Sequence, residues 1–151
     1  MIARCLGKKS INRIYEGKNV KRDNNDAITV GKDYVIISIE IENKEESSDI
    51  EPMRYWIIDD NYVLMPYDIH NFKIIDNYIS KLWVVQVSQN SLTIGAENLG
   101  KQGYICDYFD YEETEKEYNN IIKKIFKESI LAGQKKNIKL KLGISNIDSL
   151  I

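Results

Sequence analysis

Between Asp33 and Ile94 the sequence keeps returning to one pattern, a short run of β-branched and aromatic residues followed by a turn signal. The runs are DYVIISIEIE (33–42), MRYWII (53–58), YVLMPY (62–67), NFKII (71–75), KLWVVQV (81–87) and SLTI (91–94). Asp59-Asp60-Asn61 separates the second run from the third, and Ser88-Gln89-Asn90 separates the last two. Asp, Asn and Ser side chains bond nearby backbone, and Asp and Asn also tolerate the left-handed region, so both links read as hairpin turns. Strands about ten residues apart with short links make a small antiparallel barrel or sandwich. MIARCL supplies a first strand ending at Gly7. The polar, turn-rich stretch from Gly7 to Thr29 reads as a long loop.

One segment breaks from period two. Tyr118, Ile121, Ile122, Ile125 and Phe126 recur at three- and four-residue steps, the apolar stripe of a helix packed on a core. Thr114 with Glu117 fits a capping box, and Asp110 with Glu113 offers a start one turn earlier. Glu112, Glu113, Glu115 and Glu117 suit the positive end of the helix dipole, and Lys123, Lys124 and Lys127 suit the negative end. With Gly133 as the residue after the C-cap, the helix spans about residues 112–132. The tail NIKLKLGI alternates at period two, as an edge strand or a disordered segment. The expected organisation is one globular domain over 1–133 and a tail over 134–151, in an α+β, mostly β fold.

Composition then narrows the setting. Charged residues are 29% and hydrophobic ones 43%, ordinary for a globular protein. No apolar run is long enough to span a bilayer as a helix. Arg4 interrupts the start MIARCLGKKS, which has no small-residue cleavage site and does not read as a signal peptide. Cys5 and Cys106 form neither a disulfide framework nor a CxxC motif. These features point to a reducing cytoplasm. The net charge of −2 hides an asymmetry. Residues 1–32 hold eight Lys/Arg against three Asp/Glu, 33–118 hold six against eighteen, and 119–151 hold seven against two. An acidic centre lies between basic ends, and an acidic binding face is one consequence.

The candidate chemistry is thin. GAENLGKQ (95–102) nearly fits a phosphate-binding loop, but Gln102 stands where a magnesium-ligating hydroxyl belongs, and no helical stripe follows. His70 has no second histidine to share a metal, although Asp68 is placed to orient it as a base. Cys106 sits beside Asp107 in an acidic, aromatic run that raises a thiol pKa. Asp59, Asp60, Asp107 and Asp110 lack the spacing of a divalent-ion motif. Turn chemistry accounts for the Asp59-Asp60 pair. No catalytic residue, cofactor site or metal site is expected, and the chain does not read as an enzyme.

Several segments follow one another in a recognisable order: MIARCL, ITVGKDYVIISIEI, YWIIDDN, MPYDIHNFKIID, YISKLWVV and GYICDYFDYEETEKEYNNII. This order resembles a family of small, mostly uncharacterised bacterial and phage proteins. Their pattern is a first-strand cysteine, a Thr-Ile-Gly-Lys-x-Tyr lead-in, an Asp-Asp turn, a Phe-x-x-x-Asp strand, a Ser-x-x-Trp and an acidic run opening the last helix. The matching positions are Cys5, Thr29, Gly31, Lys32, Tyr34, Asp59, Asp60, Phe72, Asp76, Ser80, Trp83 and Asp110. Val30 replaces the usual isoleucine, and Cys106 stands where an aromatic is frequent. The resemblance covers roughly residues 1–128. It implies immunity proteins of bacterial toxin systems or genes of phage origin, and brings no catalytic residues.

The strand order is also similar to an SH3-like barrel, so the expected fold is such a barrel, or a curved antiparallel sheet, covered by the C-terminal helix. Gly31 makes the sharp lead-in to the first long strand, and Trp56, Phe72 and Trp83 are candidate core or groove aromatics, with core favoured because they lie inside apolar runs. The expected function is a cytoplasmic immunity-type protein that binds and neutralises a cognate toxin, with a nuclease as one candidate, through a charged surface. The expected contact residues are Glu45, Glu46, Asp49, Glu51, Asp107, Asp110, Glu112 and Glu113. The alternative is a small SH3-like module for nucleic acid or peptide, using Lys8, Lys9, Arg13, Lys18, Lys21 and Arg22 on phosphates. The acidic centre opposes nucleic acid. A toxin protein is therefore the expected partner, with no membrane.

Overall fold

A computed structural model of the chain describes residues 1–8, 11–15, 18–22, 27–42, 53–61, 63–89, 91–96 and 112–136. The side chains of 11–22 and 112–119 lie outside this description, as do the expected contact residues Glu45, Glu46, Asp49, Glu51, Asp107 and Asp110. Cys106, most of the near-fit phosphate loop and the tail from 137 lie outside it too.

The strands are β1 (Ile2–Cys5), β2 (Ile11–Tyr15), β3 (Lys18–Arg22), β4 (Asp33–Glu42), β5 (Met53–Ile58), β6 (Leu64–Asp68), β7 (Phe72–Asp76), β8 (Trp83–Val87) and β9 (Ser91–Ala96). A 3-10 turn at Ile69–Asn71 joins β6 to β7, and the helix α1 spans Glu112–Lys135. The polar stretch expected as a loop contains a hairpin instead, β2 paired with β3 from Ile11↔Arg22 to Tyr15↔Lys18. Glu16 and Gly17, between the paired strands in sequence, lie outside the described residues.

Seven strands form one antiparallel sheet in the order β6-β5-β4-β1-β7, with β9 and then β8 joined to β4. β4 is long enough to branch. Its first half pairs with β1 (Ile2↔Val35) and its second half with β9 (Ser38↔Gly95 to Glu42↔Ser91). The branch requires a glycine: a Cβ on Gly95 would fall 2.3 Å from the Cβ of Ser38. The ladder of β4 with β5 shifts register between Ile36 and Ser38, a bulge that bends the strand.

The sheet is strongly curved and remains open. Strands lie about 4.8 Å apart, so residues of β5 and β7, three strands away from each other, would be about 14 Å apart in a flat sheet. The rings of Tyr55 and Phe72 are instead 6.1 Å apart. Tyr34 and Tyr67 meet Phe72 edge-on as well, at 6.0 and 6.4 Å. Among the two expected forms the structure takes the curved sheet, because β6 and β7 are joined by the 3-10 turn and share no ladder.

Both faces of the sheet's middle are buried. One core holds Ala3, Cys5, Ile28, Tyr34, Ile36, Ile57, Tyr67 and Phe72 inside the curve. The other packs Ile2, Val35, Ile37 and Ile58 against Ile122, Ile125 and Phe126 of α1. Trp56 and Phe72 are core residues as expected, whereas Trp83 is half-buried between the two cores. The helix begins at Glu112, so Thr114 lies within it rather than at its cap. It also runs through the buried Gly133 to Lys135. The expected domain boundary at 133 therefore falls inside the helix, which continues until Lys136 reaches back to the sheet.

Candidate functional site

Three clusters of polar side chains stand out, and their local causes differ. The first is the Asp59-Asp60 pair. It is a turn, as its sequence requires: Asp59 N–H donates to Val63 O at 3.0 Å. Asp59 Oδ1 accepts from the N–H groups of Asn61 (2.8 Å) and Val63 (3.1 Å), and Oδ2 accepts from the Tyr67 hydroxyl (2.8 Å). Asp60 faces the lead-in to β4. Its Oδ1 accepts from Lys32 Nζ at 2.5 Å and the Tyr34 hydroxyl at 2.9 Å, and its Oδ2 from the Thr29 hydroxyl at 2.6 Å. The Asp60 N–H adds a bond to Ala27 O at 2.7 Å.

That lead-in is itself a turn, with Lys32 N–H donating to Thr29 O, and Gly31 holds the positive φ of 84° that its third position needs. Burial pushes Asp60 up, but the hydrogen bonds from Lys32, Thr29 and Tyr34 and the charge of Lys32 outweigh it and leave its pKa below the usual range. Burial, and then the carboxylates, push the Tyr34 and Tyr67 hydroxyls up. All four carboxylate oxygens are engaged by protein donors, so the pair works as a clasp between two loops. Thr29, Lys32 and Tyr34 lie 25 or more positions before Asp59 and Asp60, and the structure brings them together here.

The second cluster fastens α1. Lys136 Nζ donates to Asp76 Oδ1 at 2.5 Å, and Ser80 Oγ to Glu128 Oε2 at 2.7 Å. The Met1 amino group donates to Ser129 Oγ at 3.0 Å. Burial lowers that amine to about 6, and Lys136 adds to the effect while Asp76 and Glu128 oppose it. Asp76 Oδ2 is buried without a hydrogen-bond partner. Asp76 and Ser80 thus hold the helix.

The third cluster is a row across the sheet. Glu40 faces Arg54 across β4 and β5, and Arg54 faces Asp68 across β5 and β6. Arg54 is buried, ion-paired with Glu42 and, at 3.5 Å, with Glu40. Glu40 also accepts from the indole of Trp56 at 2.9 Å. Asp68 caps the 3-10 turn and accepts from the His70 N–H at 2.7 Å, with His70 Nδ1 at 2.8 Å. The His70–Asp68 pair exists, but its geometry is that of a turn cap. Two carboxylates therefore pair with one buried arginine, and Asp68 stands opposite it on the neighbouring strand. This row leads along β4 to Glu42, directly before the acidic segment that holds Glu45, Glu46, Asp49 and Glu51.

Of the expected contact residues, Glu112 and Glu113 form the first turn of α1. Sequence reasoning missed Glu40 and Glu42 and weighed Asp68 only as a partner of His70; the signal for the glutamates was the alternation of SIEIE, which puts both on one face. Cys5, buried and pushed up by burial, donates to Gly7 O at 3.3 Å and is a packed thiol. Among the described residues no group of three or more His, Cys, Asp and Glu gathers as a metal site, and no helix is long and apolar enough to cross a membrane. No family model matches the chain, and it has no significant match among the curated proteins or the solved structures.

Proposed function

We propose that this protein is an immunity-type inhibitor that binds a cognate bacterial toxin in the cytoplasm and neutralises it through an acidic surface. The observation that carries this reading is the pair Glu40 and Glu42 on one face of β4, beside a single arginine and continuous in sequence with a segment holding four more acids. Glu40 and Asp68 have partners within the fold, Glu42 is the member of the row most open to solvent, and a run of acids following it in the sequence favours a positively charged partner. A nuclease toxin offers such a surface, because its cleft is built for a polyanion. The resemblance carried by the motif order supports the same class.

The test is co-expression. A toxic domain, if one is found encoded beside this gene, is expressed with and without the protein, and the surviving fraction is counted. Survival restored by this protein, with a complex recoverable from the cells, is the expected result. Unchanged killing with no complex would sink the reading. The basic hairpin β2–β3 favours a second one, a nucleic-acid-binding module. Arg13, Lys18, Lys21 and Arg22 share this two-stranded ribbon, whose sequence holds no acid between its ends other than Glu16. Binding to duplex or single-stranded nucleic acid that weakens steeply with salt would support that alternative.

A further inference from the structure

Among the described residues the sheet has three outer strands, β6, β7 and β8, and two of them carry a guard against further pairing. β6 has Pro66 at its middle, which offers no N–H to another strand. β7 has the exposed Lys73. β8, Trp83-Val84-Val85-Gln86-Val87, has neither proline nor charge, and its described partner is β9 alone. Val84, Val85 and Val87 are 40%, 63% and 78% exposed. Exposed β-branched residues on an unguarded edge form a template for another strand.

Charge selects the occupant. A two-fold contact always sets a patch against itself. Over residues 33–118, with eighteen acids against six bases, most such contacts would oppose acid with acid. β8 escapes that cost. A two-fold axis through Val85 places Trp83 of one copy opposite Val87 of the other, and Val84 opposite Gln86. The flanking Lys81 then falls opposite Gln89, which is neutral. Trp83, Val85 and Val87 alternate onto one face, so both copies contribute apolar side chains to a single stripe. The acidic row lies beyond β9 and stays clear of the contact. We propose that β8 pairs antiparallel with β8 of a second copy of this chain, joining two sheets into one.

The mass of the full chain, measured by light scattering and sedimentation equilibrium across the micromolar range, tests this. Twice the 17.6 kDa of one chain, reached as concentration rises, is expected. Val85→Lys should return the mass to that of one chain with an unchanged circular dichroism spectrum, because the side chain is solvent-exposed. Register is read separately. In a Cys106→Ser background, Val85→Cys should cross-link to a covalent dimer on oxidation, since residues on the axis face each other at disulfide range. Val84→Cys should cross-link far less. A single-chain mass at every concentration, a dimer that survives Val85→Lys, or equal cross-linking at 84 and 85 would each overturn the proposal.

Discussion

Asp60 is the residue on which most local order depends. Its carboxylate receives Lys32, Thr29 and Tyr34, and its backbone N–H holds Ala27. Hydrogen bonds to a charged group contribute roughly 1.5–3 kcal/mol each at most sites. Asp60→Ala should therefore destabilise by about 3 kcal/mol, and Asp60→Asn by less, since the amide can still accept. The folded-state pKa of Asp60 is lowered, so the unfolded chain takes up a proton first as pH falls. Its contribution is thus complete above the ordinary carboxylate range, about pH 4, and is lost as pH drops through the lower folded value. Urea midpoints between neutral and acid pH should fall more steeply for the natural protein than for Asp60→Asn. Parallel slopes would remove Asp60 from the acid response. An Asp-Asp-Asn turn was legible in the sequence, because turn chemistry is local. The role of Asp60 was not, since its donors come from residues 26 to 31 positions earlier.

The strands from β4 onward were legible because each is a run rich in β-branched and aromatic residues bounded by a turn, and β4 and β5 fall on the sequence-predicted runs. What the pattern did not carry is the branching of β4, which depends on two residues distant in sequence fitting together. Gly95 lies against Ser38 so closely that any side chain collides. Gly95→Ala should destabilise by about 1–3 kcal/mol, the usual cost of overpacking. Adding Ser38→Gly should recover part of that loss, and a double-mutant cycle on thermal melts would measure the coupling. Additive losses would place the strain elsewhere. The helix was legible from its stripe, and Ile125 is fully buried against the sheet. Ile125→Ala should cost about 2–5 kcal/mol by the same measurement, as deletion of a buried aliphatic side chain does. The helix end escaped the reading at Gly133, because the interaction that prolongs it, Lys136 with Asp76, spans 60 positions.

For the molecule as a whole, the uneven distribution of charge along the sequence bears on the proposed encounter with a toxin. If these acids meet a basic toxin, neutralising Glu42, Glu112 and Glu113 with glutamine should slow association several-fold at low salt. Raising the ionic strength should shrink the difference, because the Debye length falls to about 8 Å at physiological salt. Stopped-flow rates at two salt concentrations measure this, and equal rates at low salt would take the acidic side out of the mechanism. The sheet's connectivity has a consequence of another kind. β1 occupies an interior place between β4 and β7, and its Ile2 pairs with Val35 and with Asp76. It is the earliest of these strands to be synthesised, yet its second neighbour is the latest of the three. While the ribosome works through the intervening residues, β1 waits with unpaired edges, and contacts of this sequence separation form slowly. The interval of greatest exposure to wrong pairing is therefore set by the rate of translation between β1 and β7, and slowing translation there lengthens it.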